Sequence, residues 1–458
     1  MNTPLHLRSI AELSAAYDDR SLSPVEVVTA CLERIEAMDG TFRTFLAVFA
    51  ESALDEARVL EAELARGHRR GPLHGIPVAL KDLVDVAGVE TSGGSLSHRG
   101  VIADTDAEAV RRLRASGAVI LGKNNLYELG TGLPLPGEWP EPARNSWDPD
   151  RIPGGSSSGS AVAVSLGMCT GSFGTDTGGS IRGPASYCGV VGLKPTYDAI
   201  SRDGVLALSW TLDHVGPMAR TVDDVAALLA GATGTEVRLD PAIGDGLRVG
   251  VPESLIDATE MEPDIRSAFS LAVEVLRAAG ARIVPMELSD LALTESILMT
   301  IIGSEGLASH LPELSAHPER FGASARERIS AGLAYSGADY VNALRSRDVV
   351  VERMAALYKD VDVIASPVVT QVAPTKRDFE VNPPHRTPFT GIHNLVGAPA
   401  VSVPAGYSRA GMPIGLQIAG PRGEDARVLT VARAYERRTS WHRDIPPGAL
   451  GTDAGATA

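Results

Sequence analysis

Residues 105–123 read TDAEAVRRLRASGAVILGK, and this stretch decides the fold class. Thr105 to Ser116 reads as a helix. Ala118-Val119-Ile120-Leu121 follows at once as a strand that ends at Gly122-Lys123. Just upstream, His74-Gly75-Ile76-Pro77-Val78-Ala79-Leu80-Lys81 reads as a short buried strand ending at Lys81. A strand, then a helix, then a strand points to an α/β fold built on a central sheet. Working outward, Ser23-Pro24-Val25-Glu26 is a capping box with proline at the first helical position. Val25, Val28, Leu32, Ile35 and Met38 then recur at helical spacing, and a second helical pattern runs from Phe49 to Leu64. Residues 131–160 are rich in Pro, Gly and Ser and read as a long loop entering a helix near Ser158. Residues 170–200 are Gly-rich and give no regular element.

Further on, Thr221 starts a helix. Strands are expected at Leu247–Val251, Ala281–Met286, Val361–Ala365, Ala400–Val403 and Gly415–Ala419, with helices at Pro263–Ala279 and about Asp425–Arg438. Residues 290–358 read as mostly helical, with their charges on solvated faces. The whole chain, 1–458, is expected to form one domain with no clean linker. Its parts are N-terminal helices over 7–66, a core over 70–235, a helical subdomain over about 290–358, a sheet part over 360–440 and a disordered tail over 448–458.

The composition excludes several classes. The 458 residues carry a net charge of −15, which argues against a phosphate-backbone binder and so against a nucleic-acid partner. No basic-then-apolar leader and no run of 18 apolar residues is visible, so no membrane association is expected. Three widely spaced cysteines, Cys31, Cys169 and Cys188, fit a reducing, cytoplasmic setting. No C-x-x-C or H-E-x-x-H motif announces a metal, and neither a metal nor a cofactor is expected. Of 42 basic residues, only Lys81, Lys123, Lys194, Lys359 and Lys376 are lysines. A lysine in such a sequence marks a place Arg cannot fill, because Lys can give up its proton.

Two tracts carry candidate chemistry: Gly154-Gly155-Ser156-Ser157-Ser158-Gly159-Ser160, and Gly174-Thr175-Asp176-Thr177-Gly178-Gly179-Ser180-Ile181-Arg182. Backbone N–H groups of Thr177, Gly178, Gly179 and Ser180 can form a nest for an oxyanion beside a serine hydroxyl, as acyl transfer requires. Gly155–Gly159 matches G-x-S-x-G, but the preceding DPDRIP (148–153) is no apolar strand. No Lys follows either tract as a phosphate loop needs, and none of the five lysines has a serine three residues before it. A distant lysine remains as base. Lys81, at the C-terminal end of a buried strand, sits where open α/β sheets place functional groups, and burial lowers the proton affinity of an amine. Asp82 follows immediately and is expected to point to the opposite face.

The runs GIPVALKD (75–82), PGGSSSGSA (153–161), GTDTGGSIRGPASYCGVVGLKPT (174–196), SWTLDHVGPMARTVDD (209–224), FTGIHNLVGAPAVSVPAG (389–406) and GMPIGLQIAGP (411–421) resemble the amidase signature enzymes, over about residues 7 to 440. The resemblance implies a large, mixed, twisted β-sheet flanked by helices on both faces. It also implies a Ser–cis-Ser–Lys triad: Ser180 as nucleophile, Ser156 as the bridging serine at a cis peptide and Lys81 as base, with an oxyanion hole on the backbone of Thr177 to Ser180. Asp176 and Arg182 are read as structural support. Tyr127, Trp210 and Ser157 are candidates for contact with the acyl group. His214 and His393 are read as satisfied polar residues. Two positions depart from the family pattern: Ser158 in the serine run, and Asp198-Ala199 where Gly-Arg is usual.

The activity implied is hydrolysis of a small carboxamide to a carboxylate and ammonia or an amine, with a small-molecule amide as partner and a homodimer as the family's expectation. The alternative is the glutaminase (A) subunit of a tRNA-dependent amidotransferase. That subunit typically has Asp two residues before the Phe-Thr pair of the C-terminal motif, to hold the glutamine amino group; here Thr387 stands there.

Overall fold

The computed structural model describes residues 4–449 apart from 134, 136, 245, 289–292 and 382–387. Eleven strands form one mixed sheet: β1 (Phe45–Val48), β2 (Pro77–Lys81), β3 (Val119–Asn124), β4 (Gly171–Asp176), β5 (Val191–Lys194), β6 (His214–Ala219), β7 (Arg248–Val251), β8 (Arg282–Pro285), β9 (Val363–Pro367), β10 (Ala400–Tyr407) and β11 (Pro413–Ala419). Their order is β1-β3-β2-β4-β6-β5-β10-β11-β9-β7-β8. The centre is parallel, with β2 between β3 and β4, and β6 then pairs antiparallel with β4.

Side chains alternate between two cores, as a sheet covered on both faces demands. Val78, Leu80, Ile120 and Phe173 join one buried cluster with the helices Glu108–Ala115, Val222–Thr233 and Asp425–Glu436. Ala79, Val119, Leu121 and Met218 join another with the helices Pro24–Phe42, Ala50–Ala65 and Ser158–Ser165. The capping box at Ser23 is formed: its hydroxyl accepts from Glu26 N–H, and the Glu26 carboxylate accepts from Ser23 N–H.

The structure adds elements that the sequence reading lacked. β1 lies between two helices and pairs antiparallel with β3. The Gly-rich stretch 170–200 contains β4, the helix Arg182–Cys188 and β5. Glycine there permits close packing: a Cβ on Gly174 would fall 2.6 Å from Ser157 Oγ. The helix expected from Thr105 begins at Glu108. Gly448 and Ala449, assigned to the disordered tail, are ordered in a turn, Pro447–Ala449. Ala449 is buried and its carbonyl accepts from Arg34 at 2.9 Å. The rest of that tail, residues 450–458, lies outside the described residues.

Between β8 and β9 in the chain lie the helices Thr294–Ala316, Ala323–Ser330 and Gly337–Leu357. Their charges are not all solvated, because Glu305 is buried. It accepts from Ser209 Oγ at 2.5 Å, Thr211 Oγ1 at 2.7 Å and Tyr340 Oη at 2.7 Å. A buried carboxylate persists only with such partners, and here they tie the helical segment to the loop before β6. Among the described residues no helix is long and apolar enough to cross a membrane.

Candidate active site

β2 ends at Lys81, whose side chain is fully buried. Its Nζ lies 2.7 Å from Ser156 Oγ and 2.7 Å from Thr175 Oγ1. Burial pulls the lysine down to about 7, against the opposing charges of Asp213 and Asp176. A neutral amine has two N–H donors and one lone pair. Two hydroxyls therefore suit it: one accepts an N–H and the other can deliver a proton to the lone pair. Asp82 does turn the other way and pairs with Lys123 at 2.7 Å. The charge that partly restores the Lys81 proton comes from Asp213 and Asp176 instead.

The Gly155–Ser156 peptide is cis, and Ser156 is almost fully buried. Tyr127 N–H donates to the Ser156 carbonyl at 3.0 Å. The Tyr127 ring covers Gly155 so closely that a Cβ there would fall 2.4 Å from it, so only glycine fits. Tyr127 is 7% exposed and packs on Phe379 with ring centroids 6.3 Å apart. It is thus a buried support behind the serine turn.

Ser157 is not placed for substrate contact. It is fully buried, and its Oγ donates to the Thr175 carbonyl at 3.1 Å and accepts from Thr175 N–H at 3.3 Å. Its N–H donates to the Ser180 carbonyl at 3.2 Å. Ser157 therefore stitches the two tracts together and ties the Ser180 backbone to the turn that carries Ser156. Ser180 is part-exposed, and its hydroxyl makes no hydrogen bond to the described residues.

The loop that carries Ser180 hangs on Asp176 and Arg182, both fully buried. Asp176 Oδ1 accepts from Gly179 N–H at 2.8 Å, and Oδ2 from Ile181 N–H at 3.1 Å. The Gly179 N–H is therefore spent on Asp176, which takes one donor from the nest expected over Thr177 to Ser180. The Asp176 carboxyl is raised by burial, yet Arg182, Lys194 and Asn394 hold it well below the usual carboxylate range. Arg182 also donates to the Thr390 carbonyl at 3.0 Å, Gln417 Oε1 at 2.7 Å and Asn394 Oδ1 at 2.7 Å. The C-terminal motif thus reaches the site through this guanidinium and also directly, Thr390 Oγ1 donating to the Gly178 carbonyl at 2.6 Å and Asn394 Nδ2 to Asp176 Oδ1 at 2.8 Å.

A cavity of about 330 Å³ opens on the other side of Thr175, lined by Asp198, Arg202, Trp210 and Asp213 among others. Trp210, an expected acyl contact, lines this cavity; Ser156 and Ser180 do not. Asp198 stands at φ 63°, a left-handed conformation that favours Gly and that Asp tolerates, and it pairs with Arg202 at 2.8 Å. This accounts for a usual glycine at that position and for what its replacement does here.

His214 and His393 are buried, and burial holds both imidazoles neutral. Neither is fully satisfied among the described residues: His214 Nδ1 meets the Leu212 carbonyl at 2.6 Å but its Nε2 lacks a partner, as does His393 Nδ1. Among the described residues no group of three His, Cys, Asp or Glu could hold a metal ion.

The sequence reading missed Thr175, Asp213, Asn394 and Arg328. The first three lie inside the quoted motifs, but nothing in a linear motif says which side chain meets which. Arg328, on the helix Ala323–Ser330, is part-buried, and it and Tyr127 act on each other electrostatically. It makes no hydrogen bond or ion pair among the described residues. Thr387 lies outside the described residues.

The sequence and the fold both match known proteins. The family profile named Amidase matches residues 26–429. The A subunit of glutamyl-tRNA(Gln) amidotransferase from Methylococcus capsulatus is 35% identical, over 97% of this chain and 99% of the relative. Its counterpart in Halorhodospira halophila is 36% identical over 97% of this chain and 100% of the relative. Among solved structures, an amidase superposes with a TM-score of 0.87 at 34% identity, covering 94% of this chain and 100% of its own. The native peptide amidase of Stenotrophomonas maltophilia gives 0.81 at 31% identity, covering 97% and 99%. The chain belongs to the amidase signature family, enzymes that act on amide C–N bonds.

Proposed function

We propose that this protein hydrolyses a small carboxamide through an acyl-enzyme on Ser180, releasing a carboxylate and ammonia or an amine. The observation that carries the reading is the buried contact of 2.7 Å between Lys81 Nζ and Ser156 Oγ, with the lysine brought down to about 7. Ser180 Oγ attacks the carbonyl carbon as its proton passes to Ser156 Oγ, while the Ser156 proton passes to the neutral Lys81 Nζ. The N–H groups of Thr177, Gly178 and Ser180 receive the negative charge on the carbonyl oxygen. Collapse breaks the C–N bond, and the proton returns from Lys81 through Ser156 to the departing nitrogen. Water then attacks the Ser180 ester, giving its proton to the same relay, and the regenerated serine takes it back as the acid leaves.

Arg328 narrows the substrate. Arg328 is part-buried and makes no hydrogen bond to the described residues, so its charge is free to favour an anionic substrate. Its place beside Tyr127 supports an amide whose acyl part carries a carboxylate. Glutamine is one such amide. The names of the relatives above favour the second reading, the glutaminase component of a tRNA-dependent amidotransferase, working within a complex of protein partners. The two readings share the chemistry at Ser180 and differ in substrate and partners.

The test is ammonia release from propionamide, benzamide, succinamic acid and L-glutamine, with and without the other subunits of an amidotransferase. Hydrolysis by the isolated chain, lost in Ser180→Ala, is the expected result. Activity on glutamine only when the other subunits are present assigns the second reading. Wild-type turnover by Ser180→Ala refutes both.

A further inference from the structure

We propose that Asp213 is a positioning residue that both fixes the Ser180 loop and governs how tightly Lys81 holds its proton. Asp213 immediately precedes β6 and is buried. Its Oδ1 accepts from Thr177 Oγ1 at 2.6 Å, at the head of the loop whose N–H groups face the oxyanion. Its Oδ2 accepts from the N–H groups of Leu208 and Ser209, each at 2.9 Å. Glu305 in turn clamps Ser209 and Thr211 to the helix Thr294–Ala316. The carboxylate is thus fixed by three donors on two segments, one of them anchored from outside the sheet.

Its charge acts on Lys81 from across Thr175. Asp213 is the strongest of the charges that oppose the desolvation of Lys81, ahead of Asp176. Asp213 itself is pushed up to about 6 by burial, with Thr177, Ser209, Leu208 and Lys81 pulling the other way. The charged groups whose fields reach it are Lys81 from β2 and Arg202 from the turn across the cavity, a cavity that Asp198 and Asp203 line as well. Each of the two charges thus favours the ionised form of the other. The sign follows directly. Lys81 must be neutral to accept a proton, and a carboxylate nearby favours its charged form. Removing that charge lets Lys81 lose its proton at lower pH.

The inference rests on the role of Lys81 as base proposed above, and the experiment separates the two. kcat/KM is measured against pH with whichever of the four amides the wild-type protein turns over fastest. Asp213→Asn removes the charge. Asp213→Ser removes it too, and leaves room for water from the adjoining cavity to accept the freed N–H groups. Both variants are expected to lower kcat and to move the ascending limb to lower pH, by on the order of one unit. A residue that merely supported the fold would lower activity and leave the limb in place. A folded variant of either kind whose limb keeps the wild-type position overturns the proposal. Wild-type turnover by Lys81→Ala would instead overturn the reading beneath it.

Discussion

Arg182→Met is the perturbation whose consequence is worked most directly from the structure. Arg182 is fully exhausted as a donor: Nε and one terminal nitrogen bind the two oxygens of Asp176 at 3.0 and 2.8 Å, and the remaining three N–H groups bind Thr390, Gln417 and Asn394. Both members of the ion pair have no exposed side-chain surface. Methionine fills similar volume but leaves the Asp176 carboxylate buried without its cation. Breaking one side of a buried pair costs about 3–5 kcal/mol, because the surviving charge is left without compensation. Lysine in place of Arg182 keeps the charge but has three donors for five acceptors, so Arg182→Lys is expected to recover only part of the loss.

The assay is urea denaturation followed by tryptophan fluorescence at neutral and acidic pH. The pH dependence carries the diagnosis. In the wild type the Asp176 carboxyl is held low, so its stabilisation is present above the unfolded value and is lost as pH falls through the folded value. In Arg182→Met, Lys194, Asn394 and the N–H groups of Gly179 and Ile181 remain but the strongest counterweight to burial is gone, so the carboxyl is expected to rise above its unfolded value and the folded state to bind a proton the unfolded state does not. The variant therefore regains stability on mild acidification while the wild type does not. The loss should reach the site as well, because Asp176 Oδ1 holds the Gly179 N–H. A variant within about 0.5 kcal/mol of wild type, the range of ordinary surface substitutions, would refute the reasoning.

Two further expectations concern activity. The wild-type rate should rise with pH through about 7, as Lys81 gives up its proton, and a profile flat across that range removes the lysine as base. Arg328→Met should raise KM for succinamic acid or glutamine by about tenfold or more, the effect of one lost charged contact, and leave propionamide unchanged; equal effects on charged and neutral amides refute an anion site.

Much of the fold could be read in the sequence where side chains are bulky. Val78, Leu80, Val119 and Leu121 mark β2 and β3 by apolar runs, and the capping box at Ser23 is a local pattern that needs no tertiary partner. β4 escaped because its sequence, GSFGTD, has one large apolar residue. Its glycines are there for neighbours: a Cβ on Gly171 would fall 2.4 Å from Leu228, and one on Gly174 would meet Ser157. Composition then looks like a loop at the place where packing is tightest. β1 escaped because four residues between two helices carry too little pattern to register.

The chemistry divides along the same line. The sequence alone determined that a lysine at a strand end, and two Gly/Ser tracts far from it, are present, because residue type and spacing are local properties of the chain. Which hydroxyl meets the lysine, which serine serves as mortar and which N–H is already taken were decided by tertiary structure. Ser156 and Ser157 are chemically identical neighbours, yet one lies 2.7 Å from Lys81 Nζ and the other binds the Thr175 backbone. Successive residues point in different directions, and only the packing around them sets which direction leads to the amine. The low proton affinity of Lys81 is likewise a property of its surroundings, since exclusion of water and the distances to Asp213 and Asp176 exist only once β2, β4 and β6 lie side by side.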